Sequence, residues 1–134
     1  MTEHHSIATA LAAAEAAPMS RKRAMLALLL IDAEIDRRFA ASDESDILAY
    51  RAALAARQPA LGLVIALAAM RETGPHLVIE PVEVPIADYP NLSEAEYMVS
   101  LYNDATVPRI LVALPDGARR PVHALLREAA AALA

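Results

Sequence analysis

Five apolar residues in succession, Ile110 to Leu114, run directly into Pro115-Asp116-Gly117. No other stretch restricts the fold as tightly. A short apolar run halted by turn residues is the pattern of a buried strand. Proline presets φ, aspartate accepts from backbone just ahead of it, and glycine tolerates positive φ. The sequence therefore predicts a strand over Val107–Leu114, a tight turn, and a short antiparallel return through Ala118-Arg119-Arg120. Pro121 then opens a final helix, Val122–Leu133, with Val122, Leu125, Leu126, Ala129 and Leu133 facing a core.

The first half of the chain reads as helix. Hydrophobic residues make up 57% of the 134, and much of that is alanine, the strongest helix former. Thr2 to Ala17 offers only Ile7 and Leu11 as an apolar face, so residues 1–19 are expected to be a loosely docked helix or tail. Ser20 caps a second helix to about Ala41, with Leu28, Ile31, Ile35 and Phe39 at helical spacing and Glu34 facing Arg37 and Arg38. The run Ala24–Ile31 also fits a buried strand, but the 3.6-residue period continues through Phe39 and favours helix. Ser42-Asp43-Glu44-Ser45-Asp46, a capping hydroxyl followed by acids, starts a third helix reaching about Gln58. Pro59 opens a fourth, which has almost no polar face through Met70 and is expected to be the most buried helix or to line an oligomer interface. Gly74-Pro75 ends it, with Gly74 in the left-handed position.

Residues 76–134 then read as β-α-β-β-α. The segment His76 to about Ile86 is rich in β-branched residues, and Pro81 and Pro85 make it an edge strand or an interrupted one. Asp88-Tyr89-Pro90-Asn91 is a loop. Ser93 and Glu96 form a capping box before a short helix, Glu94–Tyr102, whose Tyr97, Met98, Leu101 and Tyr102 are expected to point inward. Alternation of Tyr97, Val99 and Leu101 leaves a strand as the rival reading. A strand, a crossover helix and a second strand suggest a parallel right-handed unit. The predicted whole is one α+β domain over residues 1–134: a helix-rich N-terminal half, with 20–73 helical, and a small sheet packed on helices.

Val107-Pro108, followed by Arg109, the apolar run and Asp116-Gly117, is similar to the strand that follows a cis-proline in thioredoxin-like folds. The resemblance covers at most residues 76–134. It implies a fold only, together with a cis Val107–Pro108 bond; a trans bond removes its main support.

Composition excludes several chemistries. There is no cysteine, hence no disulfide, thiolate metal site or thiol catalysis. With three glycines and no Gly-rich loop, nucleotide cradles are not expected, and neither a serine-hydrolase elbow nor a zinc-protease motif is present. The net charge of −5 disfavours nucleic acid as a partner, including for a helical DNA-binding regulator on residues 20–71. No apolar run reaches the length of a membrane span, and MTEHHS carries no leader pattern. A cytoplasmic protein is expected. Eleven of the twelve bases are arginine, which, with the alanine excess, suggests a GC-rich bacterial genome.

Candidate site residues are few. Thr2-Glu3-His4 has the spacing of an N-terminal copper or nickel site if Met1 is removed, although a solvated end is the plainer reading. Asp32 and Asp36 share a helix face and can ligate metal, but no partner ligands accompany them. Arg37, Arg38 or solvent is expected to satisfy them. Neither metal nor cofactor is expected. From Glu72 to Pro108 there is no Lys or Arg, while seven acids fall in that segment. This segregation suits contact with a basic partner or a second copy, although a set of solvated faces is the plainer reading. Tyr89, Tyr97 and Tyr102 within it are candidate contact residues, with Tyr97 and Tyr102 equally readable as core. Glu80, Glu83, Asp88, Tyr89, Glu94, Arg119 and Arg120 are the candidate partner-binding residues, and His123 is a candidate anion contact at the start of the last helix. The expected function is that of a non-catalytic accessory, assembly or regulatory protein acting through protein–protein contacts, as a homodimer. The alternative is a small enzyme or ligand-binding domain with a carboxylate, Tyr and His cluster between 76 and 123, using Glu80, Glu83, Tyr102 and His123.

Overall fold

The computed structural model describes residues 3–134, with side chains from residue 6 onward. The Thr2-Glu3-His4 metal reading lies outside the described residues and side chains. Among the described residues six α-helices, one 3₁₀ helix and three strands follow in order: α1 Glu3–Ala16, α2 Arg21–Ala40, α3 Ile47–Arg57, α4 Pro59–Ala68, β1 His76–Glu83, the 3₁₀ helix Ile86–Asn91, α5 Glu94–Tyr102, β2 Thr106–Ala113, β3 Arg119–Pro121 and α6 Val122–Ala132. The fold is α+β, helix-rich in its first half, with a small antiparallel sheet packed on helices.

Helices α2, α3 and α5 start where a side chain caps them. The Ser20 hydroxyl accepts from the Arg23 N–H at 3.2 Å. Residues 24–31 are helical, so the strand alternative for them is excluded. Asp46, rather than Ser42, caps α3, accepting from the Leu48 and Ala49 N–H groups. The Ser42 hydroxyl instead donates to the Phe39 carbonyl at 2.7 Å and finishes α2. Asp32 and Asp36 are held by neither Arg37 nor Arg38. Arg51 reaches across from α3 and binds both, at 2.8 and 2.7 Å, clamping α3 to α2. Arg37 and Arg38 both go to Glu34, which is fully buried, and Arg38 also donates to the Leu133 carbonyl at the end of α6. Two partly exposed guanidiniums thus compensate one buried carboxylate.

α1 is more firmly seated than its composition suggests. Ile7, Ala10 and Ala14 are buried, and α1 packs along α2 and α6. Alanines expose little apolar surface for a hydrophobic pattern to register, yet they let two helix axes come close. α4 buries Ala60, Leu61, Val64 and Leu67, while Leu63 and Ile65 are half-buried against the same core. It ends earlier than expected. Met70, not Gly74, takes the left-handed conformation, with φ at 51°.

The sheet order is β1-β2-β3, with β2 central and every pairing antiparallel. The parallel crossover expected for β1 and β2 is therefore incorrect. Glu83 at the end of β1 pairs with Thr106 at the start of β2, and the Val84 N–H donates to the Ala105 carbonyl at 2.9 Å. The excursion from 84 to 105 returns to the point where it left. Asp104 and Ala105, both at positive φ, reverse the chain as α5 ends. The register sets Pro81 opposite Pro108. Two residues without N–H groups tolerate this where an antiparallel pair makes no hydrogen bonds, because both missing donors would point away from the partner strand. No peptide bond among the described residues is cis. Val107–Pro108 is trans, and with the antiparallel order this removes the thioredoxin-like resemblance. The closing turn forms as expected: the Ala118 N–H donates to Asp116 Oδ1 at 2.9 Å and Gly117 has φ of 90°.

Leu77, Ile110 and Val112 lie on one sheet face and join the core built by α1, α2, α4 and α6. The segment 84–105 hangs from the far end of the sheet. Its 3₁₀ helix buries nothing, although the sequence reads that stretch as plain loop.

Candidate functional site

α5 is capped as expected and turned the opposite way. The Ser93 hydroxyl accepts from the Glu96 N–H at 3.2 Å, and the Ser93 N–H donates to Glu96 Oε1 at 2.9 Å. The buried residues of this helix are Glu96 and Ser100. Tyr97, Met98, Leu101 and Tyr102, expected to face inward, are 43, 47, 55 and 81% exposed. The physical cause is Arg109. It projects from β2 and binds the other oxygen of Glu96, so the capping residue is also the anchor of the helix on the sheet. Burial pushes the Glu96 carboxyl up, but the Ser93 backbone N–H and the Arg109 guanidinium more than offset this, and its pKa lies below the ordinary carboxylate value. Ser100 satisfies itself by donating to the Tyr97 carbonyl at 2.7 Å. Once Glu96 and Ser100 face the sheet, helical spacing places 97, 98, 101 and 102 on the opposite side.

The exposed face forms a patch on the order of 400 Å², within the range of the largest and often functional patches on monomeric proteins. Its surround is acidic. Glu83, Asp88, Glu94 and Asp104 are exposed around the same excursion. Tyr89 is half-buried, with its ring 6.2 Å from that of Tyr97 at 84°. At the N-terminal end of α5 an open groove of about 770 Å³ separates Ser93, Ala95 and Met98 from Ala16, Pro18 and Met19 in the turn between α1 and α2. Arg21, Lys22 and Arg23 are exposed just beyond that turn.

The other candidates are distributed differently. Glu80 and Arg119 pair with each other at 2.9 Å across the sheet, and Arg120 pairs with Glu128 of α6 at 2.6 Å. The two arginines are therefore not beside His123, as expected from sequence. Arg109 and Arg127 are there instead, in a second cleft of about 590 Å³ that also includes Glu15, Glu96 and Pro18. Both arginines already have carboxylate partners, Glu96 and Glu15. His123 Nε2 is buried and makes no hydrogen bond of normal geometry. Burial pushes the imidazole pKa down; the Ala14 backbone and Glu15 pull it up, and Arg109 and Arg127 add to the lowering. The result is a ring that favours the neutral form. Glu80, Glu83 and His123 line three different clefts, those of Glu83 and His123 lying on either side of a wall that includes Leu92 and Arg109, and Tyr102 projects into solvent. These four residues do not form a cluster.

Among the described residues no three His, Cys, Asp or Glu side chains are arranged to hold a metal ion. No helix among them is long and apolar enough to cross a membrane. No protein-family model, curated protein or solved structure matches this chain.

The surface residues that sequence reasoning missed are Met98 and Leu101, while Tyr97 and Tyr102, readable either as contact residues or as core, prove to be exposed. A signal was present. Glu96, Ser100 and Asn103 define a polar stripe at helical spacing, and Arg109 is the first base after the acidic segment. Reading Glu96 as the partner of Arg109 reverses the helix.

Proposed function

We propose that this chain is a non-catalytic accessory, assembly or regulatory protein that acts through protein–protein contacts made by the outer face of α5. The observation that supports this is the orientation of that helix. It turns a glutamate and a serine inward and two tyrosines, a methionine and a leucine outward. In a free monomer that arrangement forgoes apolar burial worth about 1.5–3 kcal/mol for each large side chain. A partner surface recovers it. Tyrosine and methionine are also enriched at the centres of interfaces, whereas the charged residues here stand at the edge. The acidic surround favours a partner with basic groups and not nucleic acid. The Arg- and Ala-rich composition goes with a bacterial, cytoplasmic setting.

Photo-crosslinking tests the reading. A photoreactive amino acid replaces Met98 or Leu101 in the living cell, with exposed Ala52 on α3 as the control position. The expected outcome is covalent protein adducts from 98 and 101 and none from 52. An absence of protein adducts at both α5 positions would overturn the proposal.

A further inference from the structure

We infer that the surface covering α5 is a second copy of this chain, docked about a two-fold axis so that the two α5 helices run antiparallel. The inference rests on α5 being a contact face and adds the identity of the occupant. Three features of the molecule converge on it.

The first is the placement of charge. The exposed bases Arg21, Lys22 and Arg23 directly follow Ser20, which lines, together with Glu94, the groove at the N-terminal end of α5. Arg21 and Lys22 make no ion pair among the described residues, and Arg23 contributes only a long contact to the Ala13 carbonyl. At the C-terminal end of α5 stands exposed Asp104. A two-fold axis near Met98, the midpoint of Glu94–Tyr102, lays the C-terminal end of one helix over the N-terminal end of the other. Asp104 of each copy then approaches the basic triad of the other, and the helix dipoles oppose. The parallel arrangement would set like charges together.

The second is shape. The same operation carries Tyr102 of one copy to the groove of the other. That groove is walled by Ala16, Pro18 and Met19 on one side and Ala95 and Met98 on the other, and its volume of about 770 Å³ accommodates a tyrosine ring. Tyr102 is 81% exposed in the single chain. An aromatic anchor entering an apolar groove is a common centre of binding energy. Symmetry makes the contact twice.

The third is area. The α5 patch supplies roughly half of the approximately 800 Å² per partner that a stable interface buries. The groove walls and the tyrosine inserted from the other copy supply further surface on the same side of the molecule.

The test uses the purified full chain. Sedimentation at micromolar concentration is expected to show a dimer that weakens as salt rises, because Asp104 and the basic triad are exposed. Tyr102→Ala is expected to weaken it about tenfold or more while leaving circular dichroism and the melting temperature of the chain unchanged. Met98→Cys creates the sole thiol of the protein, and oxidation is expected to join two copies through it because the axis passes nearby. A monomeric wild type, a dimer that Tyr102→Ala leaves at full affinity, or a dimer in which Met98→Cys forms no disulfide each overturns the inference. A monomeric purified chain that still crosslinks from position 98 to a different protein in cells overturns the second copy and leaves α5 as a docking face. Absence of both overturns both.

Discussion

His123 shows how a single residue acquires its properties from what surrounds it. On the sequence it lies between bases and acids and reads as an anion contact. In the fold its ring is tucked beneath α1, with the Ala14 backbone and Glu15 above it, Arg109 reaching from β2, and Arg127 one turn along α6. Its pKa falls below the ordinary 6.5, with burial the largest cause. A base whose folded pKa is depressed binds fewer protons folded than unfolded. Its contribution is therefore neutral above pH 6.5 and becomes destabilising as pH falls from there toward the folded value. Chemical denaturation at a series of pH values should show stability declining below that point, and His123→Leu should flatten that part of the curve. An unchanged slope in the variant would place the acid sensitivity elsewhere. Glu34 was more legible. Its spacing to Arg37 and Arg38 predicted both ion pairs, although not its complete burial or the bond from Arg38 to the end of α6.

At the scale of elements, the helix starts and the closing turn were readable because caps and turns are local chemistry. The orientation of α5 was not, because the partner that turns it sits thirteen residues away on another strand. The contact between α3 and α4 is a similar case. Gly62 lies where a Cβ would come within 3.1 Å of the Ala55 Cβ and 3.3 Å of the Ala55 carbonyl oxygen. Two effects compete on substitution by alanine. Helix propensity favours Ala by about 1 kcal/mol, while overpacking against backbone costs about 1–3 kcal/mol. Backbone cannot rotate aside as a side chain can, so Gly62→Ala should lower stability by about 1 kcal/mol. Urea unfolding measures the difference, and a variant as stable as the parent would show that α3 shifts freely.

For the molecule as a whole, the issue is which segments belong to the core. α1 contributes Ile7, Ala10 and Ala14 to an interior shared with α2, α4, α6 and the sheet. An isolated helix of its length is marginal in water, so its order must come from that packing. Ile7→Ala should therefore cost about 2–4 kcal/mol. Half-buried Leu11→Ala should cost less than half of that. Thermal melts of both variants make the comparison. Equal and small effects would return α1 to the status of a loosely attached end.

The sequence alone determined those features whose causes lie within a few residues. Ser20, Ser93 with Glu96, and Pro115-Asp116-Gly117 marked their boundaries because the groups that satisfy each backbone end are neighbours in the chain. The unbroken apolar run of β2 halted at a turn and the period of α6 identified strand and helix because both patterns are local. The tertiary structure decided what depends on contacts between distant segments. It set the antiparallel return of β2 to β1, the clamp of Arg51 on Asp32 and Asp36, and the seating of α1. It also decided which side of α5 meets solvent. An amphipathic helix has two faces, and hydrophobicity chooses between them only when nothing stronger competes. Here a carboxylate paired with Arg109 outweighs four apolar side chains, leaving Tyr97, Met98, Leu101 and Tyr102 on the surface.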